Sequence, residues 1–428
     1  MRRFYILWAG QLVSMVGSEL TAFVLAIWIY QQHGSLSQYA IFSVVSLLPT
    51  LFISPFSGAI IDRINRRWAI IICDIGAAVG PVAILGLLWA GHLEVWAIYV
   101  ALLVASVFSS AQASAYPAAV AQLVPRDKLA QANGLSQLRG SIPEILCPLL
   151  GGVLLARMGL EGVVTMDSLS FVVGIVATLA IVIPDLVRKE EPERLTPKAL
   201  LADIADAVRH LRTHRDLGAF LVLLVLISFF HAIGRIVFIP YMLSFASESM
   251  LGIYLAIGGV AMVAASIAMS SLPRPRSLVQ AMAITITIMG IGIALLSCRT
   301  SHIVFMIGLA LLYAGIAIYA SYATTFWQTK IKGEMLGRVF SLRISLGTLA
   351  SILAYVLTGP LVERIQVSFE QSTFVESFPL TRWLIGPERG VAMGYVLLAS
   401  GLLVAACGVV MNASVRFRAM SATPDEVD

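Results

Sequence analysis

Gly58-Ala-Ile-Ile-Asp62-Arg63-Ile-Asn65-Arg66-Arg67 sets three arginines and one aspartate between two long apolar runs, one ending at Ile61 and the next beginning at Trp68. Runs of that kind recur through the chain. Crossing ~30 Å of hydrocarbon takes about 20 apolar residues in a helix. Stretches of this length lie at residues 4–31, 39–61, 68–90, 95–116, 133–156 and 162–183, and again at 217–243, 250–272, 278–298, 303–327, 337–361 and 391–415. The composition agrees: 59% of residues are hydrophobic and only 12% charged, where a globular domain carries about a quarter charged. The expected fold class is an all-α polytopic membrane protein with twelve transmembrane helices in two six-helix bundles. The expected domains are 1–183 and 217–418, with a linker at 184–216 and a tail at 419–428.

The formal net charge of +5 falls in short bursts between spans, which sets topology rather than marking a nucleic-acid partner. Placing the first residue in the cytoplasm puts Arg63, Arg66, Arg67, Arg126, Lys128, the central linker, Arg274, Arg276, Lys330, Lys332, Arg416 and Arg418 on the inner side. The loops around His33, His92 and Ser247 then carry no lysine or arginine. Both termini are therefore expected in the cytoplasm of a multi-pass cell (inner) membrane protein. The first run is longer than a signal-peptide core and lacks a small-residue cleavage site, so it is expected to stay as the first span.

Cys73, Cys147, Cys298 and Cys407 lie in or beside apolar spans without C-x-x-C spacing, and read as small hydrophobes. No metal or cofactor is expected. The chain has no H-E-x-x-H and no phosphate-binding loop, so it is expected to be neither a metalloprotease nor an ATP-driven machine, and not an enzyme. In the linker a charged run, 188–194, precedes Pro197 and the helical spacing of Leu200, Leu201, Ile204, Ala207, Val208 and Leu211, which predicts an amphipathic surface helix. The stretch 362–390 reads as the longest outer loop, a cap or a poorly ordered segment.

Gln122–Leu138 and Gln328–Ile344 occupy the same place in each half and align without gaps on Gln122 with Gln328, Arg126 with Lys332 and Leu129 with Met335. Six-span internal repeats of this kind are the sequence sign of a secondary transporter with its site between the halves.

With these residues in view, the chain resembles the major facilitator superfamily over essentially its whole length. The family signature between spans two and three, a glycine, three residues, Asp-Arg, one residue, then Gly-Arg and a basic residue, is matched by Gly58, Asp62, Arg63, Arg66 and Arg67. Asn65 replaces the second glycine, and asparagine is the next-best residue for a left-handed turn. Residues 123–134, 328–339 and 385–390 look like the macrolide-efflux and siderophore-export branch. Pro148, Gly151 and Gly152 are similar to the fifth-span signature of drug/proton antiporters, although Pro143 and Cys147 stand in place of two of its glycines. Close packing of a proline-kinked span explains the same residues.

The resemblance implies an alternating-access transporter. Asp62 ends a helix, where a carboxylate is unfavourable without a partner; the family pattern implies that it latches onto the start of the eleventh span, here Gly337-Arg338. Asp74 is expected to reach back to the loop arginines and join this gating cluster. Ionisable groups deep in a span point to a functional pathway, which singles out Glu19, Glu144, His231 and Arg235. A Glu19–Arg235 pair across a central cavity is one expectation; Glu19 as first proton carrier and Glu144 as second, each freed by desolvation to take and release a proton, is the other. A Glu144–Arg139 bridge and a satisfied His231 are the plain alternatives. Asp167 reads as an acid at the helix N-terminus, near the outer surface.

The function expected is proton-coupled efflux of a hydrophobic or amphipathic small molecule by a monomeric chain in a lipid bilayer. An uptake symporter or lipid-handling facilitator on the same fold is the alternative.

Overall fold

The structure, a computed structural model, describes residues 1–33, 35–62, 64–125, 129–183, 197–271, 275–331, 333–370 and 390–420. Among these, every regular element is helical: α1 (Arg2–His33), α2 (Leu36–Asp62), α3 (Arg66–Trp89), α4 (Val95–Leu123), α5 (Leu129–Leu179), α6 (Pro197–Thr213), α7 (Arg215–Leu243), α8 (Glu248–Ser271), α9 (Leu278–Leu295), α10 (His302–Lys330), α11 (Gly333–Glu370), α12 (Val391–Ala413) and the short α13 (Val415–Ala419). Among the described residues, eleven helices are long and apolar enough to cross a membrane. The difference from twelve spans is local. α5 runs for 51 residues, and its dihedrals leave the helical region at Gly159 alone (φ 66, ψ −176). That break divides it into arms at 129–158 and 160–179, each about long enough to span. The helix continues through Pro143 and Pro148 without a second break.

Gly159 sits in a backbone region that only glycine tolerates, and side chains held there cost ~1–3 kcal/mol. A Cβ added at this position would meet no atom within 4 Å. Gly159→Ala should therefore lower stability through backbone strain alone, by about that amount, read as a lower thermal midpoint of the detergent-solubilised chain with transport retained.

The chain divides into two compact units, residues 1–34 with 41–199 and residues 35–40 with 200–428. In the first, α3 shows why the surroundings must be lipid. Trp68, Ile72, Ile75, Val79 and Val82, at helical spacing, are exposed apolar side chains, whereas Asp74 on the opposite face is fully buried. A helix that hides its charge and exposes its hydrocarbon is built for a bilayer. Small residues let the helices approach. Gly10, Ser14 and Gly17 of α1 face Ala177, Gly174 and Ser170 of the second arm of α5, the small-residue stripe of tightly packed membrane helices. Gly151 leaves room for the Phe23 ring, whose Cδ1 would stand 2.6 Å from an added Cβ.

Asn65 opens α3 as its N-cap at φ −53, with its side-chain oxygen accepting from the Arg67 N–H at 3.0 Å. The expected left-handed turn is absent; asparagine serves here as one of the best capping residues instead.

In the second unit α9 is gripped from both sides. Gly290 faces Gly401 and Ala405 of α12, while Gly292 faces Gly308 and Leu312 of α10; two residues are ~200° apart on a helix, so the two glycines serve opposite faces. Phe220 of α7 packs against Phe326, Trp327 and Phe417. The amphipathic α6 buries Ala207 and Leu211. α11, 38 residues long, continues to Glu370, so the first part of the expected outer loop is helix; residues 371–389 lie outside the described ones. The first turn of α2 clusters with this unit, where the Ser35 hydroxyl and the Ser37 N–H both donate to Glu363 Oε1, at 3.1 and 3.4 Å.

Candidate functional site

The first unit gathers polar groups along one face of α1. Gln11 and Ser18 are seven residues apart, nearly the same angle on the helix and about 10 Å along its axis, and each meets a buried carboxylate. These are Asp74, 0% exposed, and Asp167, 2% exposed.

At the first carboxylate, Gln11 Nε2 donates to Asp74 Oδ2 at 2.7 Å and Gln112 Nε2 to Asp74 Oδ1 at 2.5 Å. The two amides are joined by Gln112 Nε2 to Gln11 Oε1 at 2.8 Å, and Gln11 Nε2 also reaches Thr178 Oγ1 at 3.4 Å. α1, α3, α4 and the second arm of α5 are thereby tied at one point. Arg139 lies within electrostatic reach of Asp74, and its guanidinium carbon sits 3.8 Å from the Tyr116 ring centre. Asp74 was expected to turn back to the loop arginines, yet both its oxygens are held by amides. Arg67 donates instead to the carbonyls of Thr178, at 3.3 Å, and of Leu179, satisfying acceptors left open where α5 ends.

The second carboxylate has different company. Ser18 Oγ lies 3.3 Å and Ser170 Oγ 3.5 Å from Asp167 Oδ1, and Glu19 is close enough to act on it electrostatically. Asp167 stands seven residues beyond Leu160, about 10 Å into its arm, not at the arm's start as the sequence suggested.

The other predicted residues fall as follows. Glu19 is exposed on α1 of the first unit; Arg235 is exposed and His231 half-buried, one turn apart on α7 of the second. Arg66 and Arg67 are half-buried at the start of α3. Arg338 is exposed near the start of α11, where its Nη1 donates to Asp206 Oδ2 of α6 at 3.2 Å, and Asp206 also takes Arg209 at 2.9 Å. Gly151 and Gly152 are buried and Pro148 half-buried in the first arm of α5. Arg63, and the surroundings of Gly58, Asp62, Glu144 and Gly337, lie outside what is described. Sequence reasoning missed Gln11, Gln112 and Ser18; polar side chains inside otherwise apolar spans were the available signal. No group of three histidine, cysteine or acidic residues able to hold a metal ion occurs among the described residues.

The chain matches the profile described as Major Facilitator Superfamily over residues 7–355. It is similar to macrolide efflux protein A of Streptococcus pyogenes, 26% identical over 388 residues, which covers 86% of this chain and 91% of that protein. It is likewise similar to the multidrug efflux pump Tap of Mycobacterium tuberculosis, 26% identical over 373 residues, covering 84% and 87% respectively. Among solved structures, a bacterial homologue of the iron transporter ferroportin in an inward-facing state superposes with a TM-score of 0.70 at 17% identity, covering 96% of this chain and 99% of the other.

Proposed function

This chain belongs to the Major Facilitator Superfamily, and from that premise we infer that it exports a hydrophobic or amphipathic small molecule by alternating access, driven by the proton gradient. It is a multi-pass membrane transporter rather than an enzyme. The observation that carries the direction is similarity along nearly the whole chain to proteins named for efflux of macrolides and of multiple drugs. The bias of lysine and arginine to alternate loops supports cytoplasmic termini in the cell membrane. Carboxylates inside the helical core support coupling to protons, because ionisable groups are kept at membrane depth for transport or proton relay. In this reading the stretch from Gly58 to Arg67 is a gating element, and substrate and proton chemistry belong to the spans.

The test uses inverted vesicles from cells expressing the full chain, with radiolabelled erythromycin as first probe and a panel of labelled amphipathic compounds alongside. Energised vesicles should accumulate probe, since one pH unit under one-for-one exchange supports a gradient of up to about tenfold. An uncoupler should abolish the accumulation. Accumulation that survives the uncoupler would remove proton coupling, and failure to transport any compound in the panel would remove the substrate class.

A further inference from the structure

Resting on the reading of a proton-driven exporter, we propose that Asp167 is the residue that takes up and releases the proton, with Glu19 beside it as the group through which the proton reaches water. Four observations lead there. Asp167 is buried, 2% exposed, and about two turns inside its arm of α5. It has no ion-pair partner among the described residues. Among the described residues, the titratable groups within electrostatic reach of it are Glu19 of α1 and Cys147 of the first arm of α5, neither of which brings a positive charge. Asp74 has what Asp167 lacks, namely two amide donors and a neighbouring guanidinium.

The hydroxyls around Asp167 complete the argument. A serine has one proton to give. Ser170 Oγ stands 2.7 Å from the backbone carbonyl of Asp167 and 3.5 Å from its carboxyl Oδ1, so its one proton is divided between a near carbonyl and a distant carboxyl and gives the carboxylate little. Ser18 donates to the carboxyl at 3.3 Å, also a long contact. The Thr21 hydroxyl, 5% exposed, adjoins Asp167 and is turned to no other acceptor among the described residues, which leaves it to serve the charged state or a water that enters with it. A lone carboxylate in such a place is costly, and the carboxyl of Glu19 within electrostatic reach makes its charge costlier. In the step itself the O–H bond of Asp167 breaks, the carboxylate keeps the electron pair, and the proton passes to Glu19 or to water.

The experiment compares wild type, Asp167→Asn and Asp167→Glu as full-length chains in proteoliposomes with radiolabelled erythromycin. It measures accumulation driven by a pH gradient, counterflow at equal pH, and the infrared carboxylic-acid band near neutral pH. Asp167→Asn should lose driven accumulation about tenfold or more, keep counterflow within about twofold, and lack a protonated-carboxyl band that the wild type shows. Asp167→Glu should keep part of the driven accumulation, which a purely packing role would not favour. Undiminished driven accumulation in Asp167→Asn overturns the assignment. So does equal loss of driven transport and counterflow, which would make Asp167 a structural anchor, and so does drive by a sodium gradient. A wild-type chain indifferent to the pH gradient ends the coupled reading itself; a wild type that responds while Asp167→Asn responds equally ends only the assignment.

Discussion

Gly401→Leu should leave no foldable transporter: extraction in mild detergent is expected to give aggregate in place of a monodisperse full-length chain. A Cβ at Gly401 would lie 2.7 Å from the carbonyl oxygen of Gly290 and 2.8 Å from the Ala294 Cα. The obstacle is backbone, which cannot swing aside as a side-chain tip can. A Cβ at Gly290 would meet the mirror of this contact, 2.6 Å from the Gly401 carbonyl oxygen, so α9 and α12 touch main chain to main chain. Moving α9 away gives no relief, because Gly292 holds its opposite face against Gly308 of α10, where an added Cβ would stand 2.8 Å from the Gly308 carbonyl oxygen. Ordinary overpacking costs ~1–3 kcal/mol; a leucine between two backbones exceeds that, against a total stability of ~5–15 kcal/mol. Gly86→Leu is the control. A Cβ on this helical glycine meets nothing within 4 Å, and leucine is a better helix former than glycine by somewhat under ~1 kcal/mol, so that variant should extract normally. Normal extraction and melting of Gly401→Leu would mean that α9 and α12 do not pack in this way.

Apolar run length read most of the helices from the sequence, because crossing hydrocarbon demands it. The passage from the fifth span to the sixth was harder to place. The sequence suggests a loop from Arg157 to Glu161, whereas one glycine at φ 66 makes the whole break. Hydropathy finds spans but does not say which face turns inward, so it could not separate Asp167, buried against α1, from Glu19, exposed on α1. Nor could it pair Asp74 with Gln11 and Gln112, which lie 63 and 38 residues away in sequence. The loop signature was legible as a pattern, while the partner of Arg67, the open carbonyls at the end of α5, was not. Charge at a helix end seeks the nearest open carbonyl or carboxylate, and only the fold decides which is nearest.

Asp74→Ala should destabilise the protein by about 3–5 kcal/mol, the usual cost of removing one member from a buried charged network. Two amide groups would be left facing each other, Gln11 1% exposed beside Thr178 at 0% and Gln112 half-buried. Gln112 Nε2 would keep Gln11 Oε1 at 2.8 Å and Gln11 Nε2 only the long contact to Thr178 at 3.4 Å, and each unsatisfied buried donor costs ~1–3 kcal/mol. The guanidinium of Arg139, stacked on Tyr116, would lose its nearby carboxylate as well. The network fixes one arrangement of helices at a cost in desolvation, so its removal as a whole should hurt less than the removal of one part. Replacing Gln11, Asp74 and Gln112 together by leucines should recover much of the stability lost in Asp74→Ala, as other buried polar networks do when exchanged for hydrocarbon. Transport should not recover with it, because α1 would then lose its polar tie to α3 and α4 and meet them through apolar contacts that specify no single register. The thermal midpoint of the purified chain and counterflow of a labelled probe separate the two quantities. A triple variant that both melts like the wild type and transports like it would show that these amides and this carboxylate serve neither register nor cycle.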